Sequence, residues 1–195
     1  MKRSLLALAA GLMLAVSASA QVDSWQIDPN HSAAQFAVRH LGISVVRGAF
    51  TKTNGTVQYD PADPAKTAID VTIDATSVNT RVEVRDKDLR GPSFFDVEKY
   101  PTITFKSKQV KSAGNGKLKV AGDLTIHGVT KEVFLDVDGP NGPLKDPHGN
   151  QRMGATATTQ ISRKDFGVSG SPDGVADDVL ITIDVELKKP AAPPK

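Results

Sequence analysis

The 195-residue sequence contains no cysteine, and that absence removes several classes at once. It rules out a disulfide framework and a thiolate zinc site, and it leaves no residue to carry a lipid at a processed N-terminus. Aromatic residues are only 5% of the chain, so there is little ring bulk with which to fill an interior. An excess of one charge is also missing, since 24 Lys and Arg stand against 22 Asp and Glu. Without Lys2 and Arg3, in the first twenty residues, the balance is 22 against 22. A neutral chain has no basic excess for a phosphate backbone, so nucleic acid is not expected as a partner. Beyond residue 20 no apolar run is long enough to span a bilayer.

Catalytic motifs are missing too. Asp165-Phe166-Gly167 copies a kinase tripeptide, but no Gly-rich phosphate loop accompanies it, and it reads as a turn. Gly167-Val168-Ser169-Gly170 misses the GxSxG elbow and lacks the α/β pattern that would carry one. His31, His40 and His127 have no ligand spacing between them and read as polar residues at strand ends. Asp173, Asp177 and Asp178 depart from calcium-loop spacing and read as solvated turn acids. No catalytic residue, metal ligand or required cofactor is expected.

What is present begins with Lys2-Arg3, an apolar run from Leu5 to Val16 and the small residues Ala18-Ser19-Ala20. This order is that of a cleavable secretory signal over residues 1–20, leaving one domain over 21–189 and a disordered tail over 190–195. Within the domain, apolar and polar residues alternate with the period of a strand. Ala34, Phe36 and Val38 share one face; so do Ile69, Val71 and Ile73, and so do Leu118, Val120, Leu124 and Ile126. Hairpins are expected at the loop Ala113-Gly114-Asn115-Gly116 and at the turn His127-Gly128-Val129-Thr130. Gly48 to Tyr59 reads as one long strand whose apolar parity switches at a bulge near Asn54-Gly55. Gly139 to Asn150 reads as an exposed loop, Ser162 to Asp178 as an irregular connection, and Val179 to Leu187 as the last strand. About eight antiparallel strands without a repeat or a linker point to a closed up-and-down barrel, with a sandwich as the alternative.

One stretch departs from alternation. Thr80 is placed to cap a helix over Arg81–Arg90, with Glu83 as capping-box partner and Gly91-Pro92 as the stop. Arg85 and Asp86 fall on the stripe of Val82 and Leu89, and Phe94-Phe95 follows, so the segment reads as a lid with a polar lining.

In order along the chain, Trp25-Gln26-Ile27-Asp28, Phe36-Ala37-Val38-Arg39-His40, Phe94-Phe95-Asp96-Val97 and Tyr100-Pro101-Thr102-Ile103-Thr104-Phe105 resemble the YceI-like family of exported polyisoprenoid-binding proteins. Gly122-Asp123-Leu124-Thr125-Ile126-His127-Gly128 and Arg163-Lys164-Asp165-Phe166-Gly167 continue the resemblance. It implies an extended, lipocalin-like, eight-stranded antiparallel barrel with a short helix near one mouth, located in the periplasm. Its lumen would take a lipid: an isoprenoid, a quinone or a fatty-chain amphiphile. The ligand-binding residues expected on this reading are Phe36, Val38, Ile73, Phe94, Phe95, Phe105, Leu124 and Ile126, with Arg85 and Asp86 either at a polar head group or as a structural ion pair tying the helix to the rim. Transient contact with a membrane and a homodimer are both compatible with it. A lipid-acting enzyme and an interaction module without a small ligand are the competing classes.

Overall fold

Alternating strands have one apolar face each, and their register turns those faces toward a common axis. A computed structural model describes residues 22–189; the signal-peptide reading of 1–20 and the tail reading of 190–195 lie outside the described residues. The strands are β1 (Asp23–Ile27), β2 (Ala33–His40), β3 (Ser44–Phe50), β4 (Thr53–Tyr59), β5 (Ala68–Asp74) and β6 (Val78–Asn79). After helix α1 (Glu83–Arg90) come β7 (Thr102–Gly114), β8 (Lys117–Ile126), β9 (Val129–Lys145), β10 (Gln151–Ser162) and β11 (Val175–Lys189).

All pairings are antiparallel, and β1 closes the sheet by pairing with both β4 and β11. Eight strand positions surround the axis, because three of them are each filled by two segments in line. Along β11, β1 pairs at Ile27↔Leu187 and β2 takes over from Ala33↔Asp184 to Val38↔Val179. Against these, β4 pairs with β1 and β3 with β2; then β5 pairs with β4 and β6 with β3. The three breaks fall side by side, so the wall turns a corner there.

That corner corrects the expected bulge. The β4–β5 ladder runs unbroken through Asn54↔Thr72 and Gly55↔Val71, and the parity changes instead at Thr51-Lys52, between β3 and β4. Phe50 and Val57 consequently both face the interior. Gly55 marks a close approach rather than a bulge, since a Cβ there would stand 2.4 Å from the carbonyl oxygen of Asp70.

Two loop readings are also corrected. β9 continues through Gly139-Pro140 and Gly142-Pro143 to Lys145, and only Asp146–Asn150 turns. Gly139 and Gly142, at φ 114° and 109°, let the strand shift register against β10 on either side of Gly154 without leaving the sheet. β11 starts at Val175, and the connection before it opens with a 3-10 helix, Arg163–Phe166, ended by Gly167 at φ 74°. The two expected hairpins form with tighter turns, Asn115-Gly116 and His127-Gly128, all four residues at positive φ, because β7 runs on to Gly114 and β9 starts at Val129.

Two buried clusters fill the wall. The larger holds Phe50, Ile103, Phe105, Val120, Leu124 and Leu135 among others. The smaller, at the β1 end, holds Trp25, Ile27, Met153 and Leu187.

Candidate functional site

Because the inward side chains are mostly aliphatic and several are small, they meet around a space rather than filling it. The barrel encloses a cavity of about 250 Å³. Ile69, Val71 and Ile73 of β5 and Leu118, Val120, Leu124 and Ile126 of β8 line one continuous interior, as the alternation predicts. Ala155 and Ala157 of β10 contribute little bulk on the far side.

At one end the wall is open between β6 and β7, because β6 pairs only with β3 and β7 pairs with β5. Helix α1 and the segment behind it close this seam. After Arg90 the chain folds back on the helix, with Phe95 N–H donating to Leu89 O and Val97 N–H to Arg90 O, each at 3.0 Å. Phe95 is thereby set edge-on to Phe50, with centroids 5.3 Å apart, and Phe50 meets Phe36 at 5.9 Å. Phe94 reaches across the opening onto Gly170, whose N–H donates to Ser93 O at 2.7 Å.

Phe36, Val38, Ile73, Phe94, Phe95, Phe105, Leu124 and Ile126 all line the cavity. Arg85 and Asp86 do not. Asp86 is buried, and its Oδ1 accepts from Thr80 N–H at 2.8 Å and from Thr80 Oγ1 at 2.5 Å. Arg85 donates to the same threonine, from Nε to Oγ1 at 2.7 Å and from Nη2 to the carbonyl at 3.0 Å. The two side chains therefore tie the helix to the strand before it. The expected cap is corrected with them: the helix starts at Glu83 with Val82 as N-cap and no side-chain cap bond, and Thr80 is engaged by Asp86 instead. Val82 is exposed, so the predicted apolar stripe is carried by Leu89 alone.

Sequence reasoning missed three features of the site. Arg163 is buried, and its guanidinium donates to the carbonyls of Val168, Gly170, Val175 and Ala176 at 2.7–3.0 Å, which shapes the connection that receives Phe94. Only its place in the run Arg163-Lys164-Asp165-Phe166-Gly167 hinted at it. Thr53 and Thr67 are buried cavity-lining residues whose hydroxyls have no hydrogen-bond partner. A threonine in a strand carries no signal of that kind.

The opposite end is held by charge. Arg152 Nη1 donates to Asp28 Oδ2 at 2.5 Å and to Glu186 Oε1 at 3.0 Å, while its Nε donates to Asp146 Oδ2 at 3.0 Å. Burial pushes the Asp28 carboxyl up, but bonds from Arg152, His31 and Asn30 and the charge of Lys188 outweigh it and hold the group at about 2. The side-chain amide of Asn150 is the largest influence on Asp146. With Arg152 and the backbone N–H groups of Asn150 and His148, it overcomes desolvation and also lowers that carboxyl to about 2. Asp28, His31 and Glu186 place ligand-type atoms within 4.8 Å of one another, yet the Arg152 guanidinium already supplies their countercharge.

Residues 25–187 match the family model described as a YceI-like domain. A UPF0312 protein of Serratia proteamaculans is 39% identical over 188 residues, covering 95% of this chain and 97% of its own. The crystal structure of BcnA from Burkholderia cenocepacia is similar with a TM-score of 0.74 at 27% identity, over 82% of this chain and 98% of that one. A polyisoprenoid binding domain from Saccharophagus degradans shares the fold at 15% identity, with a TM-score of 0.65 over 87% of this chain and 100% of that one.

Proposed function

This chain belongs to the YceI-like family, and from that premise we propose that it is an exported periplasmic binding protein holding one long apolar chain in its lumen. The ligand class is an isoprenoid, a quinone with an isoprenoid tail or a fatty-chain amphiphile. The observation that carries the reading is the cavity of about 250 Å³ with a wall of aliphatic and aromatic side chains. Two charged residues border it, Arg163 and Asp184; the first is engaged by four carbonyls and the second by Gln35 and Thr156.

An unfilled apolar space forfeits packing that a larger side chain would supply, so a barrel with only a structural or interaction role gains by closing it. A ligand repays that loss. Burying apolar ligand surface contributes roughly 25 cal/mol per Å², so affinity rises with chain length until the lumen is full. Binding rather than catalysis is supported by the wall chemistry, which is almost wholly aliphatic and aromatic, with Arg163 and Asp184 already engaged by other groups of the protein. The mouth under Phe94 and Phe95 is taken as the ligand's entrance, and the engagement of Arg85 and Asp86 by Thr80 argues against them as the head-group pair.

Titration of delipidated protein with a fluorescent prenyl or acyl probe tests the assignment. Saturable binding that tightens with probe length is expected, and its absence would overturn the reading in favour of an interaction module.

A further inference from the structure

The turn at the β2–β3 hairpin breaks the rule that the chain's other tight hairpins obey. Its central residues, Leu41 and Gly42, lie at φ 52° and 71°, with Ile43 N–H bonded to His40 O at 3.1 Å. The corresponding positions are Asn115-Gly116 and His127-Gly128 in the others, as positive φ favours. Leu at such a position is strained, and it gains nothing by packing, for Leu41 is 59% exposed and Ile43 82%. Val45 on the outer face of β3 is exposed as well, and so are Val82 and Val84 where the chain leaves β6 for α1.

These residues flank the open end of the lumen. Leu41 N–H bonds Gly174 O next to Val175, which lines the cavity with Val38, while Leu89 of α1 lines it from the other side. Around the apolar residues stand the exposed cations Arg39, Arg47, Arg81 and Lys87. Of the acids on the helix, Glu83 is paired with Arg90 at 3.5 Å and Asp86 is buried on Thr80, which leaves Asp88 facing solvent. The neighbouring connection brings Asp173 and Asp178, so the basic excess belongs to the hairpin and the helix and not to the whole rim.

We infer that the β2–β3 hairpin tip and the first turn of α1 form a docking surface for an anionic phospholipid bilayer, at which the lumen exchanges its ligand. The exchange part rests on the lipid-carrier reading; the docking part does not. Exposed aliphatic tips ringed by Arg and Lys match an interface of acyl chains beneath anionic headgroups. A lumen ligand with a long apolar tail leaves a membrane poorly through water, and a mouth held at the surface removes that step.

The test uses the full exported chain and vesicles of phosphatidylcholine with and without phosphatidylglycerol. Wild type is expected to co-sediment with the phosphatidylglycerol vesicles, less so as salt is raised. The double variant Leu41→Asn/Ile43→Thr, which suits the turn better and should fold at least as well, is expected to bind about tenfold or more weakly. Arg47→Glu/Lys87→Glu should lose the phosphatidylglycerol preference. Undiminished binding by both variants, or none by wild type, overturns the proposal. A wild-type dimer in sedimentation equilibrium that Leu41→Asn/Ile43→Thr makes monomeric, without vesicle binding, overturns it in favour of self-association. A short soluble prenyl probe, titrated in parallel, separates the two readings: vesicle docking as expected without probe binding upholds the surface and overturns the carrier.

Discussion

The ring of Phe105 occupies the space that a side chain at Gly122 would need. A Cβ placed on Gly122 would lie 2.5 Å from the ring's Cζ. The residues sit on paired strands, with Phe105 opposite Leu124, so the glycine lets the ring lie over β8 and face the lumen. Gly122→Ala should displace the ring, cost about 1–3 kcal/mol in thermal or denaturant unfolding, and reduce probe capacity by narrowing the lumen. Phe105→Asp should abolish lipid co-purification while circular dichroism still reports the barrel. An unchanged lipid content in either variant would remove Phe105 from the binding wall.

Arg85 and Asp86 should act on stability rather than on ligand choice. Asp86→Ala leaves the Thr80 N–H and hydroxyl without their acceptor and should cost about 2–3 kcal/mol, read by urea denaturation. Arg85→Ala should cost less and weaken neutral and anionic probes to the same degree. Selective loss of anionic probes would return Arg85 to a head-group role.

The charged end sets an acid limit. The Asp28 and Asp146 carboxyls are held at about 2, below the ordinary value of 3.8 that each regains on unfolding. The unfolded chain therefore binds more protons between those values, so the stability they contribute is present above pH 3.8 and is lost as pH falls toward 2. Urea midpoints measured across that interval should decline, and Arg152→Met should flatten the decline because the guanidinium is a main source of both shifts.

Thr53 gives a prediction of opposite sign. Its hydroxyl is buried at the lumen wall without a partner, so Thr53→Val removes an unsatisfied group at nearly constant shape. The ligand-free barrel should gain about 1 kcal/mol. Calorimetry of the delipidated protein checks this, and a lower melting temperature would mean that the hydroxyl is satisfied in solution.

The inward faces were legible because strand alternation is local: Ile69, Val71 and Ile73 announce their side without reference to any partner. Asn115-Gly116 is legible for the same reason, since two residues determine the turn. The corner at Thr51-Lys52 was not, because it consists of a change of pairing partners, from β2 and β6 to β1 and β5. Read along the chain, that change looks like a bulge. Arg163 escaped for a related reason, being a charged residue whose burial depends on carbonyls supplied by other segments; the inward side of Asp86 was legible from the helical stripe, but Thr80 as its partner was not. Pro140 and Pro143 argued for a loop, but the neighbouring glycines allow the strand to carry them.

The seam between β6 and β7 gives the barrel an uneven compliance. Elsewhere around the ring, a change of girth has to stretch or slide a ladder of backbone hydrogen bonds. At the seam no ladder crosses, and helix α1 is laced to the β6 side alone, by Arg90 donating to the carbonyls of Thr76 and Val78 and by the hold of Asp86 and Arg85 on Thr80. Side-chain bonds of this kind re-form at a new spacing, as a laced edge does and a woven one does not. On the carrier reading, variation in ligand thickness would be absorbed on one side of the mouth, while the strands opposite keep their register.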